Sequence, residues 1–199
     1  MGKKLIIKGA DFSAVAVDSP LSLDSIAWDG KTYREIFETN NFLQISPGFE
    51  NGSYSPFTDG TGTPTITSEV ADSGDYSLKV FGTTSQQIKS PLSMSTPSNV
   101  PMFLAVRVRC DRYEVGKVGL VLGGLGAVVN ETTQGFVTAT ATRTKIDNSG
   151  WFIGSFSSAN LDGYIDTPIV VLSTYFTNQP TLEQFTQLYE QYVFIKKGA

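Results

Sequence analysis

The chain has 199 residues and a mass of 21.5 kDa, enough for one substantial domain that buries about 70% of its unfolded surface. Hydrophobic residues make up 40% and charged residues 17%, with 19 Gly, 13 Phe and 8 Tyr, a balance that excludes a disordered tail, a collagen repeat and a long charge-laced helix. Lys and Arg number 15 against 19 Asp and Glu, a formal charge of −4, so the field that draws a protein to a phosphate backbone is missing and nucleic acid is not an expected partner.

In chain order, Leu5 to Ile7 and Phe12 to Val17 read as short strands that end at the turn Asp18-Ser19-Pro20. The apolar run Leu5 to Ile7 is interrupted by Lys8, far short of a signal peptide or a membrane span, so the expectation is a protein made in the cytoplasm without membrane insertion. Between Leu21 and Asn40, Ile26, Trp28, Tyr33, Ile36 and Phe37 fit either a short helix after Asp29-Gly30 or a loose pair of strands. Residues 1–40 are read as an N-terminal extension for docking or oligomerisation.

From Asn41 short apolar stretches alternate with Gly, Ser, Thr, Asn and Pro every eight to twelve residues, the rhythm of an antiparallel sandwich or barrel. Strands are predicted at Phe42 to Ile45, Thr65 to Val70, Tyr76 to Phe81, Gln86 to Lys89, Met102 to Cys110, Val115 to Leu122, Gly135 to Thr142, Trp151 to Phe156, Pro168 to Tyr175 and Tyr192 to Lys196. In the strand from Met102, the residues Met102, Leu104, Val106, Val108 and Cys110 share a core face, while Phe103, Ala105, Arg107 and Arg109 share a face that turns wet toward its end. Gly119, Gly123, Gly124 and Gly126 open no nucleotide fingerprint and suit a hairpin tip or bulge. Thr181-Leu182-Glu183-Gln184 has capping-box spacing, and Leu182, Phe185, Leu188, Tyr189 and Tyr192 follow at helical spacing. One short helix ending near Gln191, before a last strand, is expected; strand throughout is the alternative.

The chain has no histidine, which excludes serine-histidine and cysteine-histidine catalysis within it. The single cysteine, Cys110, forms no internal disulfide and reads as a small buried hydrophobe. Pairs of carboxylates are available for a hydrolase, but sequence spacing places no two of them at a working separation; the expectation is a protein that is not an enzyme. Acidic turns offer oxygen ligands to a calcium ion without an EF-hand pattern. Aromatic residues beside turns offer flat apolar faces for a sugar. These are Tyr54 and Phe57 in the loop 51–60, Trp151 after Asn148-Ser149-Gly150, and Tyr164 after Asp162-Gly163.

The segment Pro47-Gly48-Phe49-Glu50-Asn51-Gly52, the stretch Asp72-Ser73-Gly74-Asp75-Tyr76-Ser77-Leu78-Lys79-Val80 and the strand from Met102 to Cys110 resemble the jelly-roll carbohydrate-binding modules attached to xylanases and related glycanases. Ser46 stands where those modules usually carry asparagine, and Tyr54 or Phe57 where a tryptophan is usual. The resemblance implies an all-β antiparallel sandwich (jelly roll) over residues 41–199, following the extension of residues 1–40. It also implies a structural calcium near Glu50, Ser73 and Glu190 and a glycan as ligand. The opening Lys3 to Ser13 resembles structural proteins of tailed phages of gut Bacteroidetes. Together they imply a non-enzymatic virion structural or attachment protein of fibre or decoration type. Its expected partners are other virion proteins, further copies of itself as a homotrimer, and a cell-surface glycan. The alternative is a carbohydrate-binding module of a secreted or surface protein.

Overall fold

The computed structural model describes residues 21–39, 42–43, 49–91, 97, 99–144 and 150–198. The strands expected before Pro20, the Lys3 to Ser13 resemblance, Ser46 to Gly48 and Asn148-Ser149 lie outside these residues. The described residues form β1 (Ile26–Trp28), β2 (Lys31–Thr32), α1 (Tyr33–Thr39), β3 (Thr58–Thr61), β4 (Thr65–Thr67), β5 (Ser77–Gly82), β6 (Gln87–Lys89), β7 (Pro101–Leu122), β8 (Leu125–Val129), β9 (Val137–Thr144), β10 (Trp151–Leu172) and α2 (Leu182–Lys197).

Two strands of 22 residues each, β7 and β10, pair antiparallel along their lengths and build both layers of a sandwich. The first layer runs β4, β5, residues 161–172 of β10, residues 101–113 of β7, then β9. The second runs β3, β6, residues 151–156 of β10, residues 117–122 of β7, then β8. Passing from one layer to the other needs a bend, and bulges supply it. In β10 the register shifts between Phe156 and Asn160, where Ser157 and Ser158 take φ of 63° and 54°. Opposite them Gly116 has φ 110°, and a Cβ at that position would strike Ala159, so only glycine lets the two bent strands approach.

The separate strands expected at Met102 to Cys110 and Val115 to Leu122 are thus one strand. Those expected at Trp151 to Phe156 and Pro168 to Tyr175 are the two ends of another, which gives way to a 3-10 turn at Ser173–Tyr175. Val118 to Val129 closes a hairpin at Gly123-Gly124, both with positive φ, as their composition suggests. The edge strand β3 carries no apolar alternation and is exposed at all four positions, so no pattern announced it. Phe42 and Leu43 sit in a turn instead of a strand.

The predicted alternation in β7 holds: Met102, Leu104, Val106, Val108 and Cys110 are fully buried and join Leu78, Val80, Ile88, Leu120, Trp151, Ile153 and Ile165 in the core between the layers. The opposite face of β7 builds a second core. Phe103 and Ala105, with Ile169 and Val171 of β10, pack under α2, α1 and the β1–β2 hairpin. Both alternatives for residues 21–40 are realised there: Asp29-Gly30, with φ of 47° and 74°, turns the two-residue hairpin, and α1 follows directly. The rings interlock, Phe37 standing 5.6 Å from Phe185 and 5.5 Å from Tyr192, and Phe103 4.8 Å from Phe185.

Helix α2 begins as predicted, with reciprocal hydrogen bonds of Thr181 and Gln184 completing the capping box. It does not stop near Gln191. Tyr192 and Val193 lie one turn beyond Leu188 and Tyr189 and bury on the same face, so the last strand expected at Tyr192 to Lys196 is the end of the helix. Lys196 and Lys197 complement its C-terminal dipole.

Candidate functional site

Beyond the edge of the helical layer, the outer face of the first layer carries exposed side chains among the described residues. Leu78 and Val80 point into the core, so the alternation of β5 sends Lys79 and Phe81 outward. Register carries the pattern across the sheet: Lys79 pairs with Tyr164, which pairs with Arg109, and Phe81 pairs with Asp162, which pairs with Arg112. Phe81 is 55% exposed, and Tyr164 is half-buried. The Lys79 ammonium stands 5.9 Å from the Tyr164 ring centre and 5.7 Å from that of Phe81, and the Arg109 guanidinium reaches Tyr164 from the other side at 5.9 Å.

Each cation on this face has a carboxylate partner. Lys79 bonds Glu69 at 2.6 Å and Arg109 bonds Asp111 at 2.6 Å. Arg112 donates Nε to Asp162 at 2.8 Å and Nη1 to Glu114 at 2.9 Å and to Asn160 at 2.7 Å. The hydrogen bond from Arg112 holds the Asp162 carboxyl below its usual range, helped by the N–H of Gly82. The face is therefore a lattice of paired donors and acceptors around two aromatic rings, with three cations against four carboxylates.

The four aromatic residues expected to meet a ligand are distributed differently. Tyr164 lies on the outer face, in a strand interior and not at a turn edge. Tyr54 is half-buried against the core and donates its hydroxyl to Asp59 at 2.7 Å, a bond that raises the phenol's pKa. Trp151 and Phe57 are corrections: Trp151 is fully buried and Phe57 is 4% exposed. Trp151 alternates with outward-facing Phe152 in β10, which directs the indole inward. The Phe57 N–H closes a turn on the carbonyl of Tyr54 at 2.8 Å, tucking its ring into the core. Neither offers a face to a ligand.

The residues expected near calcium are brought together only in part. Glu50 lies against the Ser73-Gly74-Asp75 turn and accepts the Asp75 N–H at 2.8 Å; a Cβ at Gly74 would collide with this carboxylate. Ser73 shares a hydrogen bond with the Thr167 hydroxyl at 2.9 Å. Glu190 is exposed on α2, beside Arg107 and Lys197, and so belongs to no final strand. The last strand, β10, carries two acids, Asp162 on the outer face and Asp166 beside the Ser73 turn. Asp166 is fully buried, and burial pushes its carboxyl up to about 6. Its Oδ2 accepts the N–H groups of Asp72 and Ser73, at 2.7 and 2.9 Å, and its Oδ1 accepts the N–H and hydroxyl of Thr167, at 2.6 and 3.0 Å. Those four donors occupy the carboxylate, and the neighbouring Asp72 is neutralised by Arg107 and Lys197. Among the described residues no group of three or more His, Cys, Asp or Glu is arranged to hold a metal ion. Of the residues expected near calcium, Glu50 and Ser73 thus lie along the same turn, while Glu190 does not join them.

No protein-family model matches the chain, and no curated protein sequence matches it. Solved structures do. The CBM22-1 xylan-binding domain from Paenibacillus barcinonensis Xyn10C superimposes with a TM-score of 0.51 at 17% identity, over 64% of this chain and 92% of that domain. A family 16 carbohydrate-binding module gives 0.50 at 14% identity, over 65% of this chain and 99% of the module. The fold is the jelly roll of carbohydrate-binding modules. In the CBM22-1-CBM22-2 tandem of the same Paenibacillus protein the match, at a TM-score of 0.52 and 17% identity, spans 45% of the tandem. The matched share leaves about a third of this chain outside the common fold. Among the described residues no helix is long and apolar enough to cross a membrane.

Proposed function

We propose that the chain is a non-enzymatic glycan-binding protein whose ligand lies on the outer face of the first layer, stacked on Tyr164. The observation that carries this reading is the position of that ring: an aromatic held in the middle of a rigid sheet, reached from both sides by Lys79 and Arg109 on a jelly roll of the carbohydrate-binding type. The ring supplies an apolar face for the C–H side of a sugar, and the cations with their carboxylate partners supply directed hydrogen bonds to its hydroxyls. A sheet interior holds these groups more rigidly than a loop does.

Retention in native gels cast with a panel of plant, fungal and bacterial polysaccharides tests this. At least one polysaccharide retards the wild-type chain, Tyr164→Ala weakens that retention about tenfold, and the melting temperature stays nearly unchanged. Tyr54→Ala, away from the sheet face, serves as the comparison and leaves retention intact. A wild-type chain retarded by no polysaccharide removes the proposal.

A second reading, assembly on a virion as a homotrimer that presents this face to host glycans, is favoured by the Lys3 to Ser13 resemblance and by an apolar rim on α2. There Phe194 is 78% and Ile195 40% exposed, beside a shallow depression also lined by Leu23 and Arg34. Weak single sites would gain avidity from linked copies. Sedimentation at high concentration would show a trimer, and mass spectrometry of purified particles would find the chain; a monomer absent from particles rejects this reading. The alternative place, on a secreted or surface protein, needs no trimer.

A further inference from the structure

We infer that the chain pairs with a second copy of itself across the C-terminal half of α2, in a twofold contact that seats Phe194 of each copy in a depression of the other. Helix α2 buries Phe185, Leu188, Tyr189, Tyr192 and Val193 against the second core. On its outward side Glu183, Gln187 and Glu190 are exposed, the polar stripe expected of a helix that covers a sheet. The last turn departs from that pattern. Phe194 and Ile195 are exposed there as well, and Phe194 is the most exposed of the large apolar side chains among the described residues. An exposed phenyl ring with polar neighbours on its own helix is the form an interface anchor takes.

The patch complements itself. Beside Phe194 a depression of about 410 Å³ is lined by Leu23, Arg34, Glu190, Gln191 and Ile195, so the ring and the hollow adjoin on one face. A twofold axis fills both hollows with both rings at once, whereas a threefold ring of copies would join two different patches of each. With the two α2 helices antiparallel and the axis crossing at the height of Tyr192 and Val193, Phe194 lies over the Gln191 turn of the other copy and the helix dipoles oppose favourably. The charges agree with this alignment. Arg34 is already paired with Asp24 at 2.8 Å, but Glu190 has no ion-pair partner among the described residues. The antiparallel alignment brings it near the other copy's Lys196, which meets Glu38 of its own chain only at 3.5 Å. One aromatic anchor with a polar margin is small for a permanent interface, so the pair forms and parts with concentration.

Sedimentation equilibrium of the full chain, from low to high micromolar concentration and without any sugar, tests the pairing apart from the glycan reading. The wild type passes from monomer to dimer over that range. Phe194→Glu stays monomeric throughout and, because its side chain is exposed, melts where dilute wild type does. Glu190→Lys weakens the dimer severalfold, and Glu190→Lys combined with Lys196→Glu restores it, a reversal that damage to the fold would not give. A wild-type chain that is monomeric at every concentration overturns the pairing, as it would if an unrelated protein were the occupant of this patch. A trimer, or a dimer that Phe194→Glu leaves intact, overturns it equally.

Discussion

Asp72 is a carboxylate almost without water. Its side chain is 5% exposed, Arg107 donates Nε to it at 2.6 Å from a side chain 13% exposed, and Lys197 reaches it at 2.7 Å from the end of α2. Two cations around one buried anion hold the sandwich, through the turn that precedes Ser73, to the helical layer. Breaking such a pair from one side leaves a desolvated charge alone, so Asp72→Ala is expected to cost about 3 kcal/mol in chemical denaturation. Lys197→Met, which removes an exposed partner and leaves Arg107 in place, is expected to cost about 1 kcal/mol or less. Equal losses for the two would show that the pairing is not what Asp72 contributes. Cys110 gives a further residue-level test. Burial pushes its thiol up to about 11, and the Sγ–H is donated to the carbonyl of Arg112 at 3.3 Å, so at pH 8 the native chain carries almost no thiolate. A thiol reagent should label it no faster than the fold opens; prompt labelling of native protein would contradict its burial.

At the scale of elements, what a strand or helix shows in its sequence depends on how many of its partners are local. The core face of β7 could be read because period-2 alternation is a property of the strand itself, and the start of α2 because a capping box spans four residues. Thr181→Ala removes the side-chain acceptor for the Gln184 N–H and is expected to cost about 1 kcal/mol, measured by urea denaturation; no loss would mean that packing alone sets where the helix begins. The end of α2 could not be read. Val193, Phe194 and Ile195 suit a strand by composition, and what makes them helical is distant: Val193 lies over the second core built from Phe103, Ile169 and the α1 side chains. Helix α1 shows the reverse case. Thr32 and Glu35 form a reciprocal box, the Thr32 hydroxyl accepting the Glu35 N–H at 3.2 Å and the Glu35 carboxylate accepting the Thr32 N–H at 2.8 Å, a local signal hidden in a stretch without clear period. The candidate face was partly readable. Tyr164 stood out as an aromatic after Asp162-Gly163, although that pair is strand and the actual break lies at Ser157-Ser158. Phe81 did not stand out, because an exposed ring in an alternating strand looks like any apolar residue until the register places it beside Tyr164.

Across the described residues, the consequence of building both layers from β7 and β10 is that the two cores melt together. The core between the layers and the core under the helices lie on opposite faces of the same two strands: Leu104 and Val170 point to one, Phe103, Ala105, Ile169 and Val171 to the other. Residues 21–39 belong to the second core through Leu23, Tyr33, Ile36 and Phe37, and the Leu21 carbonyl accepts from Gln191 of α2 at 3.1 Å. Removing the helical layer would expose four apolar side chains in the middle of the first sheet, beside the proposed ligand face. A chain coupled in this way is expected to unfold in one transition. Calorimetry should give a van't Hoff enthalpy equal to the calorimetric one, and Phe185→Ala, which empties the centre of the second core, should lower the single melting temperature without splitting the peak, at a cost of about 3–5 kcal/mol. Two resolved peaks, with the lower one alone moved by Phe185→Ala, would show that the helical layer is a separate cooperative unit and that the ligand face does not depend on it.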